Sequence, residues 1–113
     1  MSQYLLAVFV TDYICRTDTP MEFDCDISSG QPNVNLINGA RYYKARAGAT
    51  CPPVDNTDLC SVSSVLDEIR GQCHEEEDCS FTVAQRDTSV CESQGFTGED
   101  IIEVQHSCQP GNT

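Results

Sequence analysis

The chain has 113 residues, 39% of them hydrophobic and none Trp, and carries 18 acidic against 6 basic side chains for a formal charge of −12. That length suits a single domain over residues 1–113, since two cores would each be too small to stand alone. So acidic a chain excludes nucleic acid and anionic lipid as partners, because phosphate is bound by Lys and Arg, and no apolar run approaches the ~20 residues of a spanning helix, so no membrane insertion is expected.

Residues 4–10 form the first apolar run, Tyr-Leu-Leu-Ala-Val-Phe-Val. It has no basic segment before it and no small-residue cleavage site, so an N-terminal strand is favoured over a signal remnant, the secretion signal then lying outside this sequence. Residues 5–14 are aliphatic, aromatic or β-branched and read as a strand running into Cys15. A turn follows over 16–20, then a half-exposed strand over 21–27, where apolar and acidic residues alternate. Ser28-Ser29-Gly30-Gln31-Pro32 breaks the chain, and residues 34–40 suggest a strand ending in a turn at Asn38-Gly39. Residues 41–60 carry little periodicity and read as an irregular loop pinned by cysteines.

The clearest helix is expected over residues 62–71. Val62, Val65, Leu66, Ile69 and Cys73 fall on one helical face, Ser63 or Ser64 can cap the start, Asp67 and Glu68 suit the first turn, and Gly71 can end it. Residues 79–83 alternate as a strand, and residues 101–106 form a last strand leading to Cys108. There is no internal repeat, low-complexity stretch or linker. Strands with one main helix describe a small β-rich α+β domain.

Eight cysteines, at 15, 25, 51, 60, 73, 79, 91 and 108, are either disulfides or metal ligands. Zinc sites draw ligand pairs from tight turns. Here the closest pair, Cys73 and Cys79, has five residues between, and neither His74 nor His106 has a nearby His partner. Disulfides are therefore expected, each worth ~2–4 kcal/mol, which places the chain in secretion or on the extracellular face of the cell surface. No cofactor or metal is expected. Spacing alone does not select which cysteines pair.

Three further features have two readings each. His74-Glu75-Glu76-Glu77-Asp78 invites calcium, but consecutive side chains diverge and no Asp-x-Asp-x-Asp-Gly frame is present, so a solvated acidic knuckle is favoured. Arg41, Lys44 and Arg46 form either a local contact site or a segment balanced by nearby carboxylates. Tyr42 and Tyr43 form either a ring-stacking platform or, more commonly, one core and one surface residue of a strand end. Nothing beside His74 or His106 looks like a nucleophile elbow or a metal triad, and the chain is not read as an enzyme.

The second half carries a family likeness. Cys60, an amphipathic helix, Cys73, five residues, Cys79, the strand Ser80-Phe81-Thr82-Val83-Ala84, Cys91 and a terminal Ile-x-Val-x-x-x-Cys follow in order. Ahead of them come Cys15, Cys25, Ala40-Arg41-Tyr42-Tyr43-Lys44 and Cys51. Over about residues 8–109 this order resembles the sea-urchin-egg-lectin (rhamnose/galactose-binding lectin) domain family. The resemblance implies bridges Cys15–Cys51, Cys25–Cys108, Cys60–Cys91 and Cys73–Cys79.

It also implies a lectin-like domain for galactose- or rhamnose-type glycans, with a glycan or glycoprotein as partner and a homo-oligomer as one source of avidity. The family's sugar-binding positions correspond here to Arg16 in place of a Glu, Tyr42 retained, Tyr43 in place of Gly, Lys44 in place of Arg, and Asp100 about where a Lys stands. Ser89-Val90-Cys91 replaces Asp-Pro-Cys. Arg16 and Asp100 thus suggest an ion pair of reversed polarity. The alternative is an extracellular protein-binding or adhesion module that keeps the scaffold without the sugar site.

Overall fold

The computed structural model describes residues 9–16, 21–24, 33–54, 56–76 and 78–110. The strand start at 5–8, the turn at 17–20, the break at 28–32 and Cys25 lie outside them. The chain order is β1 (Phe9–Cys15), β2 (Met21–Asp24), β3 (Asn33–Ala45), a 3₁₀ turn (Asn56–Asp58), β4 (Leu59–Ser64), α1 (Leu66–Cys73), β5 (Asp78–Phe81), α2 (Ser89–Ser93) and β6 (Asp100–Pro110). Strands β1, β6, β3 and β4 make an antiparallel sheet in that order, and β2 pairs with β5 as a separate ribbon.

One face of the sheet is the core. Ile14, Ile37, Ala40, Tyr42, Ile102 and Val104 pack against Val65, Ile69 and Cys73 of the helical segment and against Met21 and Phe81 of the ribbon. This is a small β-rich α+β domain with one main helix. Burying such apolar surface contributes roughly 25 cal/mol per Å². Bridges join Cys15 to Cys51, Cys60 to Cys91 and Cys73 to Cys79, with Cα–Cα spans of 5.9, 5.9 and 5.3 Å. Cys108 is disulfide-bonded, and its expected partner Cys25 lies outside the described residues.

Four local expectations are corrected. The irregular loop over 41–60 is shorter at both ends: β3 runs on to Ala45, and β4 begins at Leu59 beside it, Tyr42 facing Ser63 and Lys44 facing Cys60. Residues 41–45 have β6 on their other side, so pairing across both edges holds a segment whose own periodicity is weak. No turn forms at Asn38-Gly39. Asn38 is instead the extra residue of a β-bulge, Ile37 facing His106 and Gly39 facing Gln105.

The helix over 62–71 is displaced to Leu66–Cys73. Val62 packs against the core from β4 instead, because an apolar residue among serines fits either period. Ser64 is the serine at the helix start, its Oγ accepting the Leu66 N–H at 3.3 Å. Asp67 and Glu68 occupy the first turn, where the helix dipole favours carboxylates. Gly71 does not end the helix, which continues to Cys73 and leaves at extended His74. The short helix α2, next to the Cys60–Cys91 bridge, had no signal in the apolar pattern.

Beyond the end of β4, the β3 edge is covered by the turn after α1. The Asn35 N–H donates to the Glu76 carbonyl at 2.8 Å, and the Glu75 N–H donates to the Asn35 carbonyl at 2.7 Å. Glu75 takes φ 65° to make this approach. The His74–Glu76 stretch is therefore a backbone strap with its Glu75 and Glu76 side chains in solvent. Among the described residues no group of three or more His, Cys, Asp or Glu is gathered to hold a metal, and no helix is long and apolar enough to cross a membrane.

Candidate functional site

Tyr42 and Lys44 lie two residues apart on β3 and so project from the same face; Asp100, the first residue of β6, sits opposite Lys44. The Tyr42 hydroxyl donates to Asp100 Oδ2, and Lys44 Nζ reaches Asp100 Oδ1 at 2.9 Å. Tyr42 is fully buried, and the Lys44 and Asp100 side chains are only 15% and 9% exposed. Burial first, then the Asp100 carboxylate, push the Tyr42 phenol up to about 12, with a hydrogen bond from the Arg86 backbone acting the other way.

Arg16 joins this cluster from the end of β1. Its backbone N–H donates to the Asp100 carbonyl at 3.0 Å, and its guanidinium donates to the Val83 carbonyl at 3.4 Å through Nη2. Arg16 Nε is buried with no hydrogen-bond partner among the described residues. The expected Arg16–Asp100 side-chain ion pair does not form; Tyr42 and Lys44 hold the carboxylate instead, and the Arg16 guanidinium turns to the Val83 carbonyl. Arg16, Tyr42, Lys44 and Asp100 are nonetheless brought together from three strands.

Tyr43 is not among them. It projects from the opposite face, so the two rings form no common platform. There Tyr13, Glu103 and Arg41 stand in register across β1, β6 and β3. Burial and Glu103 push Tyr13 up to about 12 and raise Tyr43 as well. The Tyr13 hydroxyl donates to Asn56 Oδ1 at 3.1 Å. The three clustered cations also separate: Arg41 donates to Ser61 Oγ, Lys44 pairs with Asp100, and Arg46 lies 3.6 Å from Asp58 and 4.5 Å over the Phe96 ring.

Two polar groupings had no local signal in the sequence. His106 is buried, with Nε2 2.7 Å from Asp12 Oδ2 and Nδ1 2.8 Å from Asn35 Oδ1. These partners are 94 and 71 residues away in sequence, so only the β1–β6–β3 order assembles them. Both ring nitrogens face acceptors, which suits a structural clasp. Arg86 likewise bridges Glu68 of α1 and Ser63 of β4.

A cavity of ≈ 380 Å³ opens beside α2. Cys60, Cys91, Val62 and Val90 give it apolar surface, and Ser61, Asp87, Thr88 and Gln94 give it polar groups. It shares no residue with the Arg16 cluster. No protein-family model matches the chain, and no curated protein matches it at a significant level.

Proposed function

We propose that the chain is an extracellular carbohydrate-binding domain of the lectin-like kind its cysteine order resembles, taking galactose- or rhamnose-type glycans at Arg16, Lys44 and Asp100. The observation that carries this reading is the convergence of those groups with Arg16 Nε left buried and unpartnered among the described residues. A buried donor without an acceptor costs ~1–3 kcal/mol, and a sugar hydroxyl would satisfy it. Lys44 has spare N–H donors and the Asp100 carboxylate spare lone pairs, so vicinal hydroxyls could be read by a fixed donor and acceptor. Tyr42 serves as the buried support that holds Asp100. The disulfides support an oxidising, extracellular setting.

The mutual pairing of Tyr42, Lys44 and Asp100 favours a second reading, an adhesion module whose former sugar site has closed on itself. A glycan array with wild type and Arg16→Met separates them. Saturable binding to galactose- or rhamnose-terminated glycans, weakened about tenfold or more by Arg16→Met, is expected. The variant loses the long 3.4 Å bond to the Val83 carbonyl as well as the unsatisfied donor, so circular dichroism checks that the fold is kept. Silence of the wild type across the array would favour the adhesion module, and undiminished binding by the variant would remove this site.

A further inference from the structure

The face of the sheet turned away from the core carries a cluster that shares no side chain with the Arg16 site. Tyr13 of β1, Glu103 of β6 and Arg41 of β3 stand in one cross-strand row, and Tyr43 lies one row further, diagonal to Glu103. Directly opposed side chains on a sheet are ~4.5–5.5 Å apart at Cβ and diagonal ones ~7–8 Å, within reach of aromatic and long residues. Tyr13, Tyr43 and Glu103 are half-buried and Arg41 is exposed, so the row is accessible while its rings are partly held.

This row has two charged poles. Glu103 lies beside both phenols: burial and its carboxylate raise Tyr13 and Tyr43, Tyr13 also feels Tyr43, and Arg41 acts on Tyr43 in the opposite direction. The Tyr13 hydroxyl is anchored on Asn56 Oδ1. Glu103 makes no salt bridge among the described residues, although Arg41 faces it in register. The Arg41 guanidinium is drawn the other way, its Nε donating to Ser61 Oγ on β4, and its Nη groups make no hydrogen bond among the described residues. An acidic pole between two tyrosines thus stands beside a basic pole with free donors, on strands ~4.8 Å apart.

These features select a ligand class. A bare metal ion is disfavoured, since among the described residues no three His, Cys, Asp or Glu gather. A simple anion meets Glu103 and a chain of charge −12. A neutral ligand gains from neither pole. A lone cation uses one exposed-side carboxylate, a weak anchor by itself, and leaves Arg41 idle. A zwitterion uses both. Of the ammonium ions, a quaternary one suits tyrosine faces, because it is weakly hydrated and recognised by aromatic rings. Of the anions, a phosphate matches the fork of an Arg guanidinium. A phosphocholine diester joins the two through a short spacer and carries no net charge, so the acidic chain does not repel it.

We infer that the outer face of the β1–β6–β3 sheet binds a phosphocholine ester, its quaternary ammonium over Glu103 between Tyr13 and Tyr43 and its phosphate on Arg41. This goes beyond the Arg16 site and lies on the opposite side of the sheet from the Tyr42–Asp100 support. A protein with both would engage two unrelated surface groups at once, and each weak contact would raise the occupancy of the other.

Calorimetry and NMR of the full chain test this with glycerophosphocholine, choline and inorganic phosphate as probes. Glycerophosphocholine is expected to bind saturably and shift the Tyr13 and Tyr43 ring signals, with an affinity about tenfold above choline or phosphate. Glu103→Gln and Arg41→Gln should each weaken it about tenfold, circular dichroism confirming that both variants fold. Co-sedimentation with phosphatidylcholine vesicles then identifies the source: a pelleted protein supports a lipid headgroup, and binding to the soluble probe without pelleting supports a phosphocholine ester outside a bilayer. Unmoved ring signals, equal affinities for glycerophosphocholine and choline, or binding left intact by either variant would overturn the assignment.

Discussion

At the scale of single residues, Tyr42 links two roles. Its ring is core and its hydroxyl holds Asp100, so the phenol resists ionisation, as Tyr13 does beside Glu103. An unfolded tyrosine loses its proton near ~10, whereas these two hold theirs to about 12. Below the unfolded value both states are protonated and the stabilisation is complete. Above it the unfolded chain alone releases protons, so stability falls with rising pH until the folded value is passed. Alkaline titration followed by ultraviolet difference absorbance should show Tyr13 and Tyr42 ionising late, with Tyr43 also delayed, and Tyr42→Phe should remove one late phenol. Ionisation of every tyrosine near the ordinary value in the folded protein would contradict this.

Tyr42 was also the residue most legible in the sequence, as one of a core-and-surface pair with Tyr43. The partners of Asp100 were less so. The resemblance suggested Arg16, from two family positions with their charges exchanged, but strand register placed Lys44 opposite and Tyr42 within reach, and register is set by non-local pairing. His106, Asp12 and Asn35 lay beyond local inference for the same reason.

At the scale of elements, apolar spacing located the helical face but not its start, because Val62 serves a strand as readily as a helix. Strands β1 and β6 were visible as β-branched runs. The second half of β3 was not, since Arg41-Tyr42-Tyr43-Lys44 gains its order from β4 and β6 on either side. Two glycines separate a helix interior from a close backbone contact. A Cβ on Gly71, inside α1, would meet nothing within 4 Å, so Gly71→Ala should stabilise the protein by about 0.5–1 kcal/mol. A Cβ on Gly98 would lie 2.6 Å from the Arg46 carbonyl oxygen and 3.0 Å from that of Ala45. There the Gly98 N–H donates to the Ala45 carbonyl at 2.8 Å, just ahead of Asp100. Gly98→Ala should therefore cost about 1–3 kcal/mol. Urea denaturation reads both, and equal signs would refute the contrast.

At the scale of the whole molecule, cysteine number and spacing pointed to disulfides, but residue spacing could not rank their energetic weight until the pairs were known. Cys15–Cys51 closes a separation of 36 and Cys73–Cys79 one of 6. On the loop-entropy account, the sixfold ratio makes the longer bridge worth about 1.6 kcal/mol more, from 1.5RT times the logarithm of that ratio. Replacing each pair by Ala and comparing urea midpoints at equal slope checks the ranking. Equal losses would mean that strain or denatured-state structure outweighs loop entropy.

The extra residue at Asn38 acts on β3 as a phase shift. Ahead of it the odd-numbered Asn35 and Ile37 face the core side of the sheet, and after it the even-numbered Ala40 and Tyr42 do. One strand thus supplies both the His106 clasp and the Asp100 support from a single face, although a plain alternation would send them to opposite sides. Excising that one residue would keep this wiring, Gly39 following Ile37 on a plain ladder, whereas flattening the bulge with Asn38 retained would offer Arg41 and Tyr43 to the interior and Tyr42 and Lys44 to solvent. The bulge, not the residue count of β3, therefore keeps its two ends in phase, and Asn38 is the one position in the strand where a single deletion leaves every neighbour on its own face.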